Sequence, residues 1–218
     1  MKTIIYNRTE IQLTEVQNKL VKNGWGNESF NKSIVEKLTY FSDGLKVNGY
    51  IAYPSYISEE EKFPCIIWNR GGAKENGAID EFNARGIYGQ MASWGYVVFA
   101  SHYRGSSGGE GKDEFGGSDL NDVLNLMNVA DEIPFADTSN WGIEGWSRGG
   151  MMTYLTLTRE HKFKAAIVSG GIADLYSVAE KNESMKRVFK HFMGENNFEE
   201  ELKKRSVIYS INKFSPST

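Results

Sequence analysis

Residues Gly145 to Gly150 read Gly-Trp-Ser-Arg-Gly-Gly. A serine with a glycine two positions away on each side is the form taken by a nucleophile in a sharp strand-to-helix turn. The glycines leave space for a strained backbone, and the serine hydroxyl is lifted above the carboxyl edge of a sheet. A helix starting there points its amides and the positive end of its dipole at the same spot, where they can hold developing negative charge. The chemistry to expect is acyl transfer, with Ser147 attacking a carbonyl and carrying the acyl group. With 23 glycines in 218 residues the motif alone is weak, and the alternative is a glycine-rich turn with an idle serine. Its neighbours supply context: Asn140 to Gly145 reads as a strand and Met151 to Leu157 as a helix.

Those neighbours belong to a longer alternation. Ile34–Ser42 and Lys46–Ser55 are strand-like runs joined by Asp43-Gly44, a hairpin signal. Phe63–Trp68 is a short apolar strand leading into the pair Gly71 and Gly72, and Tyr96–Ser101 is another after a helix around Ile87–Trp94. A glycine-rich loop over 105–117 precedes a helix capped by Ser118 or Asp119, with Leu120, Val123, Leu124, Met127 and Ala130 on one face. Phe163–Ser169 is the next strand. Strands alternating with helices predict an α/β domain, mainly parallel, with helices on both faces. Past Gly171 the regularity drops into helical texture. Residues 1–33 read as an N-terminal helical appendage, through weak spacing at Ile11, Val16, Leu20 and Val21, with residues 34–218 as the main domain.

Composition narrows the function classes. A net charge of −3 gives no electrostatic footprint for nucleic acid or an anionic membrane. The single cysteine, Cys65, rules out an internal disulfide, sits in an apolar run as a buried inert thiol, and makes the cytoplasm the default compartment. No apolar stretch approaches the roughly 20 residues of a membrane span, and the start lacks the apolar core of a secretory signal. No histidine and cysteine spacing suits a metal, and no glycine run has a phosphate-loop sequel, so no cofactor is expected.

From about Leu38 to Gly171 the chain resembles the catalytic domain of the prolyl oligopeptidase group of α/β-hydrolases. The pieces carrying the resemblance come in order: IIWNRGG, GYVVFASHYRGSSGGEG, the DLNDV helix, DTSNWGIEGWSRGGMMT and FKAAIVSGG. The resemblance implies an α/β-hydrolase fold acting on a peptide or ester substrate. It implies an oxyanion hole formed by the amide of Arg148 and a donor from the NRGG loop. Where that group often has tyrosine or histidine, this chain has Arg70, so the second donor is the amide of Arg70 or Gly71, or the guanidinium itself. Gly71 and Gly72 let the backbone approach substrate, or simply make a tight loop. Tyr103, just past a strand end, lines the substrate pocket or stands at its rim.

In α/β-hydrolases an acid and then a histidine follow the serine. In the resembled group a stretch like FSPST is followed by two more strands carrying both. The resemblance therefore implies a domain incomplete at its C-terminus, truncated after the strand that follows the nucleophile helix. The in-chain candidates are weak. His161 lies about fourteen residues into the following helix, roughly 20 Å from the hydroxyl at 1.5 Å per residue. His102 precedes the serine, His191 reads as a surface-helix residue, and Asp174 reads as a turn residue at the right edge. Asp119 and Asp122 look like helix N-terminal charges and Asp137 like a turn residue. The expectation is a serine hydrolase, weak or inactive in this chain alone; the alternative is a non-catalytic hydrolase fold that binds a ligand or partner. An open sheet edge at Phe163–Ser169 predicts self-association.

Overall fold

The computed structural model describes residues 3–58 and 60–213. The FSPST stretch lies outside the described residues. The strands are β1 (Ile5–Glu10), β2 (Ser33–Ser42), β3 (Leu45–Pro54), β4 (Phe63–Asn69), β5 (Val97–Ser101), β6 (Ala136–Trp146) and β7 (Phe163–Ser169). The helices are α1 (Glu15–Trp25), α2 (Asn27–Asn31), α3 (Glu81–Ser93), α4 (Leu120–Ala130), α5 (Arg148–Leu157), α6 (Leu175–Lys181), α7 (Glu183–Met193) and α8 (Phe198–Lys204).

One seven-stranded sheet runs β1-β2-β3-β5-β4-β6-β7. Its β5, β4, β6 and β7 are parallel, and β3, β2 and β1 extend it by antiparallel pairing. The parallel strand β5, Val-Val-Phe-Ala-Ser, is buried at every position, as a strand covered on both faces must be. The β2–β3 hairpin turns at Asp43 and Gly44, whose φ values of 51° and 82° are those the tightest right-twisted turn demands.

Helices lie on both faces. On one, α4 and α5 pack Leu126, Met151 and their neighbours onto Ile67, Phe99 and Ile143, and α6, α7 and α8 add Leu175, Phe189 and Leu202. On the other, α3 packs Tyr88 and Ala92 onto Ala52, Trp68 and Val98. Each large apolar side chain fully buried this way is worth about 1.5–3 kcal/mol. The α3 face is bare over β6 and β7, where Ile66, Tyr96, Ala165 and Ile167 line an open groove, and Ile167 is 59% exposed. Among the described residues no strand pairs with the outer edge of β7.

Two local expectations shift. Residues 1–33 supply a strand as well as helices: β1 joins the sheet against β2, and α1 starts at a capping box between Thr14 and Gln17. In α1 only Val21 is buried, while Val16 and Leu20 are exposed. In α4 the buried apolar face runs through Leu120, Val123, Leu126 and Val129, leaving Leu124 and Met127 half-buried. The helix is turned because Asp122, expected as a solvated end charge, is fully buried and holds Arg104 at 2.7 Å and the Ser42 hydroxyl at 2.6 Å.

Candidate active site

Ser147 is the joint between β6 and α5. Its φ of 56° and ψ of −120° are strained for a residue with a side chain. The surroundings fix this conformation. The Ser147 amide donates to the Ser169 carbonyl of β7 at 2.8 Å, and the Ser147 carbonyl accepts from Gly150 at 2.9 Å. The turn is tight enough to require its glycines. A side chain on Gly149 would overlap the Asn69 carbonyl, and one on Gly145 would overlap the Gly149 carbonyl. Ser147 is half-buried at the carboxyl end of the parallel strands, and its hydroxyl makes no hydrogen bond to any described residue.

The NRGG loop after β4 comes to the same place. A β-carbon on Gly71 would stand 3.3 Å from Ser147 Cβ and 3.2 Å from the Trp146 carbonyl oxygen. The amides of Gly71 and Gly72 make no hydrogen bond to any described residue. As the first residue of α5, Arg148 has an amide that cannot have an intrahelical partner. The loop and the helix start thus offer N–H groups beside the serine.

The two arginines point elsewhere. Arg70 is 1% exposed, and its guanidinium donates to the carbonyls of His102 (2.8 and 3.2 Å), Gly71 (3.1 Å) and Lys74 (2.8 Å). With those donors engaged inward, the guanidinium makes no hydrogen bond to Ser147. Arg148, also 1% exposed, reaches Asp113 and Asp119 at 2.6 Å each and the Gly72 carbonyl at 3.1 Å. Burial alone would raise the Asp113 carboxyl, but Arg148 and the amides of Phe115 and Lys74 hold it below the usual carboxylate range. Asp119 sits at the α4 N-cap position without capping it, and takes the Gly116 amide and Arg148 instead.

Tyr103 is a correction. It does not line a pocket: it is 0% exposed, with the guanidinium groups of Arg148 and Arg70 over its ring at 4.8 and 5.1 Å. Its hydroxyl needs a partner in that dry site and donates to the Arg70 carbonyl at 3.1 Å. Tyr103 therefore supports the glycine loop from beneath. The ties from Arg148 to Asp113 and Asp119 escape a motif reading, in which Arg148 matters only for its amide. Their one sequence signal is an arginine in the elbow, with one aspartate in the glycine-rich loop and a second just after it.

The remaining candidates make no hydrogen bond to Ser147. Asp174 caps α6 through the Ser177 amide. His191, exposed on α7, has Nε2 3.1 Å from Lys74 Nζ, so it meets the loop beyond Gly72 and makes no bond to Ser147. His161 is exposed in the turn before β7, and Asp137 binds Ser139 and Asn140 in its own turn. His102 is buried behind Arg70. Cys65 is buried, and burial pushes its thiol up to about 12. Of the tryptophans, Trp68 and Trp141 are core, whereas Trp94 and Trp146 are 64% and 61% exposed.

Comparison with known proteins places this geometry. A model of the prolyl oligopeptidase family matches residues 85–217. The chain belongs to the prolyl oligopeptidase family. It is 33% identical over 179 residues to the uncharacterized peptidase YtmA of Bacillus subtilis, covering 81% of this chain and 67% of that one. It is 28% identical to the uncharacterized peptidase YuxL of the same organism, covering 80% of this chain but only 26% of YuxL. Among solved structures it matches the acylaminoacyl peptidase of Pyrococcus horikoshii with a TM-score of 0.73 and 26% identity, over 95% of this chain and 34% of that one. A puromycin-hydrolyzing peptidase of Mycobacterium tuberculosis shares the fold at a TM-score of 0.68 and 23% identity, over 83% of this chain and 29% of that one. The chain thus spans about a third or less of YuxL and of these two solved structures. The sheet with its covering helices is the α/β-hydrolase arrangement of prolyl oligopeptidase family peptidases.

Proposed function

We propose that Ser147 is the nucleophile of a serine peptidase or esterase that cleaves a peptide or ester bond through an acyl-enzyme. The observation that carries this reading is the strained Ser147 backbone at the β6–α5 joint, packed against the Gly71 backbone. The hydroxyl oxygen would attack the carbonyl carbon, its proton passing to a base. The resulting oxyanion would be held by the Arg148 amide and an amide of Gly71 or Gly72, each such donor being worth about 10²–10³ in rate. Cleavage of the tetrahedral intermediate would release the amine or alcohol, and water would then free Ser147.

We further propose that the chain acting alone performs this reaction weakly. No histidine among the described residues hydrogen-bonds Ser147, so the serine is presented without an activating base. An oxyanion hole together with substrate binding retains about 10³–10⁴ over the reaction in water. The same observation supports the second reading, a hydrolase fold that binds a ligand or partner without turnover. The reducing cytoplasm suits a chain whose one cysteine is buried and unpaired.

A fluorophosphonate probe tests both proposals. Slow labelling confined to Ser147 and abolished by Ser147→Ala is the expected result. Rapid stoichiometric labelling would overturn the proposal of an unactivated serine, and labelling at another residue would overturn the assignment of the nucleophile.

A further inference from the structure

A cavity of about 550 Å³, lined by no residue of the Ser147 elbow or the NRGG loop, lies between β1, β2, β3 and the loop leading into α3. Two of its lining side chains are almost wholly buried: Tyr50 is 5% exposed and His102 is 6% exposed. Their rings meet edge to face at 5.2 Å. Neither the Tyr50 hydroxyl nor either ring nitrogen of His102 hydrogen-bonds a described residue, and His102 Nδ1 is itself buried. Buried polar atoms are ordinarily paired, so the unpaired Nδ1 of His102 at a cavity wall, beside the Tyr50 ring, marks a place able to take a hydrogen bond.

The charge at the wall is negative. Lys37 is the cavity's one lysine, and it pairs with Glu81 at 2.9 Å. Glu75 and Asp80 remain in excess. Glu75 uses Oε1 on the Ser107 amide and Asp80 uses Oδ1 to cap α3, leaving the second oxygen of each without a partner among the described residues. Burial, with Arg70 adding repulsion, holds His102 at about 4, so it is neutral near pH 7 and one ring nitrogen accepts. An anion would meet two carboxylates here. A cation would meet the carboxylates of Glu75 and Asp80, an acceptor nitrogen of His102 and the edge or face of the Tyr50 ring.

We infer that this cavity binds a small organic cation carrying a primary ammonium group, held by Glu75, Asp80, Tyr50 and His102. The inference is independent of the role of Ser147.

The test is titration of the full chain with 1,5-diaminopentane and with neutral 1,5-pentanediol, followed by the ring signals of the three histidines in nuclear magnetic resonance. The expected result is a saturable shift at His102 with the diamine alone. Glu75→Gln keeps the acceptor for Ser107 and removes the charge; it should weaken diamine binding by about threefold or more while leaving the thermal midpoint in place. Tyr50→Phe should weaken it as well. A tripeptide amide and its N-acetyl form separate the sources of the ammonium: binding of the free amine form alone points to a peptide amino terminus, and binding of the diamine alone to a free polyamine. Equal binding of diamine and diol, an unchanged affinity in Glu75→Gln, or no shift at His102 would overturn the inference.

Discussion

A β-carbon built on Gly71 would lie 3.3 Å from the β-carbon of Ser147, so the loop after β4 and the β6–α5 elbow leave little room for a side chain between them. Gly71→Ala should therefore crowd Ser147 and the Trp146 carbonyl. The expected outcome is slower fluorophosphonate labelling of Ser147, with the thermal midpoint lowered by no more than a few degrees. Labelling at the unaltered rate would show that the loop does not shape the site.

Arg148 bridges two fully buried carboxylates, and removing it leaves both without their cation. Breaking a buried ion pair on one side destabilises by about 3–5 kcal/mol. Arg148→Met should lose stability on that scale in urea denaturation. Arg148→Lys should recover only part of it, because an ammonium cannot reproduce the guanidinium fork. A loss below about 1 kcal/mol in Arg148→Met would refute the role of this network.

His102 predicts a pH dependence. Its folded-state value of about 4 lies below the ordinary 6.5 because of burial and then the Arg70 charge. A histidine held neutral lets the unfolded chain take up a proton that the folded chain refuses. Stability should therefore fall as pH drops from about 6.5 towards 4, by at most about 3 kcal/mol, and be level above that window. Asp113, held low, contributes only at more acid pH, below its ordinary 3.8. His102→Gln should flatten the slope between 6.5 and 4; the same slope in the variant would assign it elsewhere.

The free edge of β7 leads us to propose that copies of the chain associate there. Its backbone is unpaired on the outer side among the described residues, and Ile167 stands exposed on its α3-side face. Sedimentation velocity should show concentration-dependent association, reduced by Ile167→Lys, since charge on an edge strand opposes pairing. A single monomer boundary at every concentration would remove this proposal.

The sequence disclosed what local chemistry dictates. The Asp43-Gly44 turn, the apolar runs of β4 and β5 and the Gly-Trp-Ser-Arg-Gly elbow each carry their conformation in a few adjacent residues. What stayed hidden depends on partners distant in the chain. Arg148 and Asp113 are 35 residues apart, and only the folded sheet brings them together. Tyr103 looked like a pocket residue because it follows a strand end, and its direction is set by the two guanidinium groups that flank it. The strand β1 lacked a legible signal because its pattern is mostly exposed, so no apolar alternation marks it.

The positions on either side of Ser147 face opposite worlds, Trp146 towards solvent and Arg148 into the interior. Tolerance to substitution around the serine should accordingly be lopsided. Variation at 146 can alter what approaches the hydroxyl while the scaffold stands, whereas variation at 148 dismantles the scaffold first. Any programme of diversification around this serine has its freedom upstream.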